Sequence, residues 1–202
     1  EQTARSHAHE LARVTSPPVA DIVERVLQYS DNEGAEVLAH QVGLEVDDDA
    51  SYDGGVRGVR STLRDLGVDL DDATIQDGSG LSREDRISPA FLVRVLSSAA
   101  ADDHPDLRAA LTGLPIAGFT GTLAEDGRYT TPQSTAGAGL VRAKTGSLTG
   151  VVTLAGLVRD SDGQLLGFAL MADQTPDIGA ARAAVDRIAT TLAGCGCGGT
   201  AG

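Results

Sequence analysis

The sequence predicts an α+β fold: a helical lobe first, then an antiparallel sheet covered by a C-terminal helix. Three observations carry this reading. Val19, Ile22, Val23, Val26 and Leu27 recur at helical spacing. Between residues 140 and 173 the apolar residues form strand-length runs broken by the turn sequence Asp160-Ser161-Asp162-Gly163. After Pro176-Asp177 the helical spacing returns in Ile178, Ala181, Val185, Ile188 and Leu192.

The elements follow in order. Residues 10–16 read as a short strand. Ser16 as N-cap and Pro17 at the first helical position then open a helix over 17–29. Ser30-Asp31 interrupts it, and a second helix follows over about 33–43, with Val37, Leu38 and Val42 inward. The triplet Ser30-Asp31-Asn32 thus falls at a helix–helix junction. Gly54-Gly55 opens a helix over about 56–66, closed by Gly67 at the position after its end. Residues 73–76 form a short strand that enters the glycine-rich loop 77–83. Ser88-Pro89 starts a helix over 89–100 with Phe91, Leu92, Val95 and Leu96 inward, and a short helix follows over 105–112. Residues 113–139, rich in Gly, Thr and Ser, are irregular. Strands are expected over 140–146, 149–159 and 164–173. The middle strand is apolar on both faces, as a covered central strand requires. A last helix spans about 177–193. The chain reads as one domain, with a helical lobe over about 17–112, the sheet and its helix over about 140–193, and a Gly/Cys-rich tail over 194–202.

Composition excludes several function classes. A formal net charge of −13 argues against nucleic acid or an anionic membrane surface as partner. No run of apolar residues is long enough to span a bilayer as a helix. Cys195 and Cys197 are too few for a metal site, and read either as a disulfide or as free thiols. His7-Ala8-His9-Glu10 lacks a third ligand. Neither a metal nor a cofactor is expected.

The chain holds one lysine, Lys144, and one asparagine, Asn32. A GC-rich genome accounts for their scarcity, but not for both falling inside short polar motifs. An ammonium is a compact charge that can titrate, which a guanidinium is not. Lys144-Thr145-Gly146 at the end of a strand offers an ammonium and a hydroxyl to a carboxylate, and a glycine that lets a ligand approach the backbone. Ser30-Asp31-Asn32 offers a hydroxyl that can relay a proton and an amide that can bind a carbonyl, although it is also a good helix cap. Asp77-Gly78-Ser79-Gly80 does not fit a nucleophile elbow and reads as a glycine-rich turn beside the site.

In this order the two triplets are the second and third of the three motifs of penicillin-interacting serine enzymes, S-x-x-K, S-D-N and K-T-G. The chain resembles the class C low-molecular-mass penicillin-binding proteins, a family of D-Ala-D-Ala carboxypeptidases and endopeptidases. The resemblance rests on Ser30-Asp31-Asn32 with Glu36, on Asp77-Gly78-Ser79-Gly80-Leu81-Ser82-Arg83, on Leu114 to Gly118 running into Gly121-Thr122-Leu123, and on Ala143 to Gly150. It spans about residues 10–193.

The resemblance implies the penicillin-binding, serine β-lactamase-like transpeptidase fold and an acyl-enzyme mechanism on peptidoglycan stem peptides ending in D-Ala-D-Ala, with β-lactams as acylating ligands and an envelope location. By match, Ser30 shuttles a proton to the leaving amine and Asn32 holds the substrate amide. Lys144 and Thr145 bind the terminal carboxylate, Gly146 gives access, and the Ser147 N–H supplies half of an oxyanion hole. The family usually has Thr at the position of Ser147. No S-x-x-K occurs, because the one lysine is already used at 144. The expectation is therefore that this chain is the C-terminal part of the enzyme, with the nucleophile on an N-terminal segment of the same protein that also covers apolar surface here. A class A β-lactamase would need a Glu-x-x-x-Asn element after the triplet, which a sole asparagine at 32 excludes. The alternative is a non-catalytic envelope protein that binds muropeptides.

Overall fold

The structure, a computed structural model, describes residue 9 and residues 11–196. The helical part comprises α1 (Val19–Tyr29), α2 (Asn32–Asp47) and α3 (Tyr52–Asp65). A two-residue ladder, β1 (Ala73–Thr74) with β2 (Arg86–Ile87), frames the glycine-rich loop. Next come α4 (Pro89–Ala100), a 3-10 turn (Pro105–Arg108) and α5 (Ala109–Thr112). The sheet is β3 (Val141–Leu148), β4 (Val151–Arg159) and β5 (Leu165–Ala172), followed by α6 (Ile178–Ala193).

The expected first strand is not there. Residues 11–16 are irregular, with Leu11 98% and Val14 96% exposed, and no strand lies beside them among the described residues. Residue 10 lies outside the described residues. A strand needs a neighbour to take its N–H and C=O groups, and apolar alternation alone does not supply one. Helix α1 also begins later than expected. Pro17 precedes another proline, which drives it out of the helical region. Pro18, at ψ 149°, is the last non-helical residue, and its carbonyl accepts from the Ile22 N–H at 3.2 Å. Ser16 therefore caps nothing.

Helix α2 runs to Asp47, and Val37 is exposed rather than inward. Its buried residues are Ala39 and Gly43, and those of α3 are Gly54, Gly55 and Gly58. The two helices meet backbone to backbone. A Cβ on Gly43 would lie 2.5 Å from the Asp49 carbonyl oxygen and from the backbone of Gly54 and Gly55. Ser51, whose Oγ accepts from the Gly54 N–H at 3.0 Å, starts α3 at Tyr52. The glycines thus lie inside this helix, where they cost propensity but permit close approach.

The sheet is antiparallel in the order β3-β4-β5, which confirms β4 as the central strand. In the second hairpin Asp160 Oδ1 accepts from the N–H groups of Asp162 and Gln164 at 3.0 and 2.8 Å, and Gly163 takes φ +82°. On one face Val141, Ala143, Val152, Leu154, Val158 and Phe168 pack against Val185, Ala189 and Ala193 of α6. Ile188 turns outward instead. Arg128 pins α6 to the preceding segment through Asp186, its Nε donating to Oδ2 at 3.0 Å and its Nη2 to Oδ1, with both side chains largely buried. The other face of the sheet is covered too. Leu157 packs with Ala99 of α4 and Leu111 of α5. Helix α4, which reads in sequence as part of the helical lobe, is thus a layer on the sheet. A further cluster of Val68, Leu70, Ala73 and Phe91 joins α4 to the chain after α3.

Gly43→Ala is expected to destabilise the protein by about 2–3 kcal/mol, the scale of overpacking a tight contact. Gly167→Ala, whose Cβ would meet Val93 Cγ1 at an ordinary 3.9 Å, should stay within about 0.5 kcal/mol. Urea midpoints of the two variants compare them directly.

Candidate active site

A cavity of about 380 Å³ lies where the α1–α2 junction faces β3. Two short turns set its helical wall. Ser30 ends α1 in the left-handed region (φ 55°, ψ 47°), and the Asp31 N–H returns to the Val26 carbonyl at 3.0 Å. Asp31 then caps α2 at once, its Oδ1 accepting from the Gly34 N–H at 2.9 Å. The chain reverses within these residues, and both Ser30 and Asn32 line the cavity.

The opposite wall follows from the pleat of β3. Side chains alternate between faces along a strand. Val141 and Ala143 belong to the core under α6, so Thr145 and Ser147 share that face. Lys144 and Gly146 occupy the other, toward α1. Lys144 Nζ donates to Ser30 Oγ at 2.7 Å and to the Thr145 carbonyl at 2.6 Å. Burial alone pushes its pKa from 10.5 down to about 8. Thr145 Oγ1 donates to Thr122 Oγ1 at 2.9 Å, and Arg182 Nη2 of α6 donates to Ser147 Oγ at 3.4 Å. A Cβ on Gly146 would fall 2.3 Å from Thr153 Oγ1, so a larger residue there would force that hydroxyl to move.

The outer edge of β3 is divided. The Ala117 N–H donates to the Val141 carbonyl and the Ala143 N–H to the Pro115 carbonyl, both at 2.9 Å. Residues 115–117 therefore occupy the first half of the edge. Backbone groups alternate in direction as side chains do, so those of Thr145 and Ser147 face the same edge in its second half, beside the cavity.

The glycine-rich loop forms a third wall. Glu36, one turn beyond Asn32, accepts from the N–H groups of Gly78 and Ser79 at 3.1 and 3.0 Å. Gly78 needs to be glycine, since a Cβ would lie 2.6 Å from Ala39 Cβ and 2.8 Å from the Ala35 carbonyl oxygen. Asp77 accepts from the N–H groups of Gly80 and Ser82. Arg83 reaches the Thr149 carbonyl at 3.4 Å and ties the loop to the β3–β4 turn.

Ser30, Asn32, Lys144, Thr145, Gly146 and Ser147 thus all line one cavity. Lys144 and Thr145 do not project side by side, however, and the lysine is bonded to Ser30 across the cleft. Sequence reasoning did not single out Thr122 or Arg182 as site residues. Thr122 had a signal in its Gly-Thr-Leu segment, while Arg182, an arginine on a helix of an arginine-rich chain, had none. Cys195 is disulfide-bonded, and Cys197 lies outside the described residues.

The chain belongs to the D-Ala-D-Ala carboxypeptidase 3 (S13) family, which it matches over residues 1–192. It is 40% identical over 189 residues to carboxypeptidase DacB of Mycolicibacterium smegmatis, covering 93% of this chain and 40% of that protein. It is 35% identical over 154 residues to the D-alanyl-D-alanine carboxypeptidase of Actinomadura sp. strain R39, covering 74% of this chain and 27% of that protein. Penicillin binding protein 4 of Haemophilus influenzae, solved with a novel β-lactam, superposes with a TM-score of 0.74 at 30% identity, covering 85% of this chain and 40% of that one. A β-lactamase from Sphaerobacter thermophilus shares the fold at a TM-score of 0.57 and 20% identity. The expected penicillin-binding fold is borne out. The chain spans less than half the length of these curated relatives.

Lys144 makes stability depend on pH. Its pKa is about 8 folded and near 10.5 unfolded, so between these values the unfolded chain binds more protons and stability rises with pH. At about 1.4 kcal/mol per tenfold change in proton affinity, the rise is on the order of 3 kcal/mol. Urea unfolding of the wild type and Lys144→Met should diverge by that amount from pH 7.5 to 10.5. A flat difference curve contradicts the burial of this ammonium.

Proposed function

We propose that this chain forms two walls of a serine-type D-Ala-D-Ala carboxypeptidase or DD-endopeptidase site in the cell envelope. The substrate is a peptidoglycan stem peptide, and β-lactams acylate the same site. The observation that carries this reading is the 2.7 Å bond from Lys144 Nζ to Ser30 Oγ, which joins the S-D-N and K-T-G motifs across the cavity. The nucleophile is a serine of an S-x-x-K motif on residues outside this sequence, because its one lysine stands at 144. The carboxypeptidase names of the relatives support the reaction class.

The geometry supports the following roles. Ser30 Oγ accepts from Lys144, so its own proton is free to turn into the cavity. As the acyl-enzyme ester forms, the nucleophile's hydroxyl proton passes to the lysine of its own S-x-x-K motif; as the amide C–N bond breaks, Ser30 gives its proton to the leaving amine and takes one from Lys144. A pKa near 8 lets Lys144 supply it close to neutral pH. The Asn32 amide donates to the substrate's carbonyl. The substrate backbone adds along the second half of the β3 edge, as extended peptides add to open strands. There the Ser147 N–H donates to the developing oxyanion, a contact worth roughly 2.7–4 kcal/mol in other hydrolases. The Thr145 and Ser147 hydroxyls bind the terminal carboxylate.

The full-length protein should carry a covalent band with a fluorescent penicillin and release D-alanine from a peptide ending in D-Ala-D-Ala. Ser30→Ala should slow acylation by about 10²–10⁴-fold, the usual worth of a proton-transfer group. Reversible peptide binding with neither band nor release would assign the protein to non-catalytic muropeptide binding.

A further inference from the structure

We infer that Glu36 is a positioning residue: its carboxylate fixes the loop 78–81 against the start of α2 and so sets the width of the cleft that the substrate enters. The inference rests on the peptidase reading and adds to it a residue that touches no reacting atom. Glu36 stands four residues after Asn32, on the same face of α2 and one turn further on. Its Oε2 accepts from the Gly78 N–H at 3.1 Å and its Oε1 from the Ser79 N–H at 3.0 Å. Asn32, Ala35 and residues 78–81 line the cavity on either side of this contact, while Glu36 itself lies behind its wall.

The loop is stiff in itself. Asp77 accepts from the N–H groups of Gly80 and Ser82, Ser79 Oγ from the Leu81 N–H at 3.3 Å, and Asp85 Oδ1 from the Gln76 N–H at 2.7 Å. Both partners of each bond lie within residues 76–85, so these bonds keep the loop's shape and leave its place relative to α2 open. The Glu36 bonds set that place, because they join positions 42 and 43 residues apart. A carboxylate on two successive amides is charge-assisted and directional. The other tie, from Arg83 to the Thr149 carbonyl, is long at 3.4 Å. Without the carboxylate the loop keeps its internal bonds and moves away from α2 as a unit. The loss then falls on substrate binding, since the wall is no longer preorganised. Proton transfer is spared, because Ser30 and Lys144 are held by α1 and β3.

The test uses the full-length protein and a peptide ending in D-Ala-D-Ala, with active sites counted by titration with a fluorescent penicillin. Glu36→Gln keeps the size and one acceptor oxygen but sets an NH₂ against the other amide. It should raise KM about 10-fold, the scale of one charge-assisted bond, with kcat per active site within about 2-fold. Glu36→Ala, which removes both acceptors, should raise KM further. Hydrogen exchange of the segment holding Gly78 and Ser79 should quicken in both variants. A purely structural glutamate would lower the number of active sites and leave KM of the remaining ones unchanged. That result, a fall in kcat as large as the rise in KM, or unaltered exchange overturns the inference. A wild-type protein that does not turn over the peptide overturns the peptidase reading, and this assignment with it.

Discussion

One ammonium group, half-buried between two lobes, is the constraint around which the rest of the cleft is arranged. Lys144 reaches Ser30 at 2.7 Å, and this is possible only because both sides are held in place by their own local structure. On one side, a left-handed serine and an aspartate cap turn the chain between α1 and α2. On the other, the pleat of β3 sends Lys144 toward α1 and its neighbours toward α6. The cost of taking an ammonium out of water appears as a lowered pKa. In the proposed reaction that lowered pKa would let the group donate a proton near neutrality, so the energetic penalty and the chemistry would have one source.

Close backbone packing sets the third wall. Helices α2 and α3 meet through Gly43, Gly54, Gly55 and Gly58, which fixes α2 along its length. From α2, Glu36 holds the N–H groups of Gly78 and Ser79, and Arg83 carries the loop across to the β3–β4 turn. Helix α2, the loop and the β3–β4 turn are therefore linked by direct bonds, so a disturbance at the glycine contact is transmitted to the cavity.

The sheet was legible because strand patterning is local: β4 is apolar on both faces, and Asp160 to Gly163 is a turn on its own chemistry. Two of the cavity-lining residues stood out because Asn32 and Lys144 are unique in composition. Other features depend on tertiary context. Residues 11–16 read as a strand but pair with no strand among the described residues. Pro17 was placed at a helix start although Pro18 forbids it. The α3 glycines looked like a boundary because helix propensity says nothing about a backbone that must come close. Helix α4 left the helical lobe because Ala99 covers Leu157, a contact that no periodicity encodes. Arg182 enters the site from 35 residues beyond Ser147, and only the fold brings them together.

The central claim is that Ser30 and Lys144 act as one unit across the cleft. A double-mutant cycle measures this most directly. Acylation rate constants with a penicillin would be determined for the full-length wild type, Ser30→Ala, Lys144→Ala and the double variant. Residues in one hydrogen-bonded pair are expected to couple by roughly 0.5–3 kcal/mol, so the double variant should be little slower than the worse single variant. Fully additive losses would show that the two motifs contribute independently, and would contradict the account.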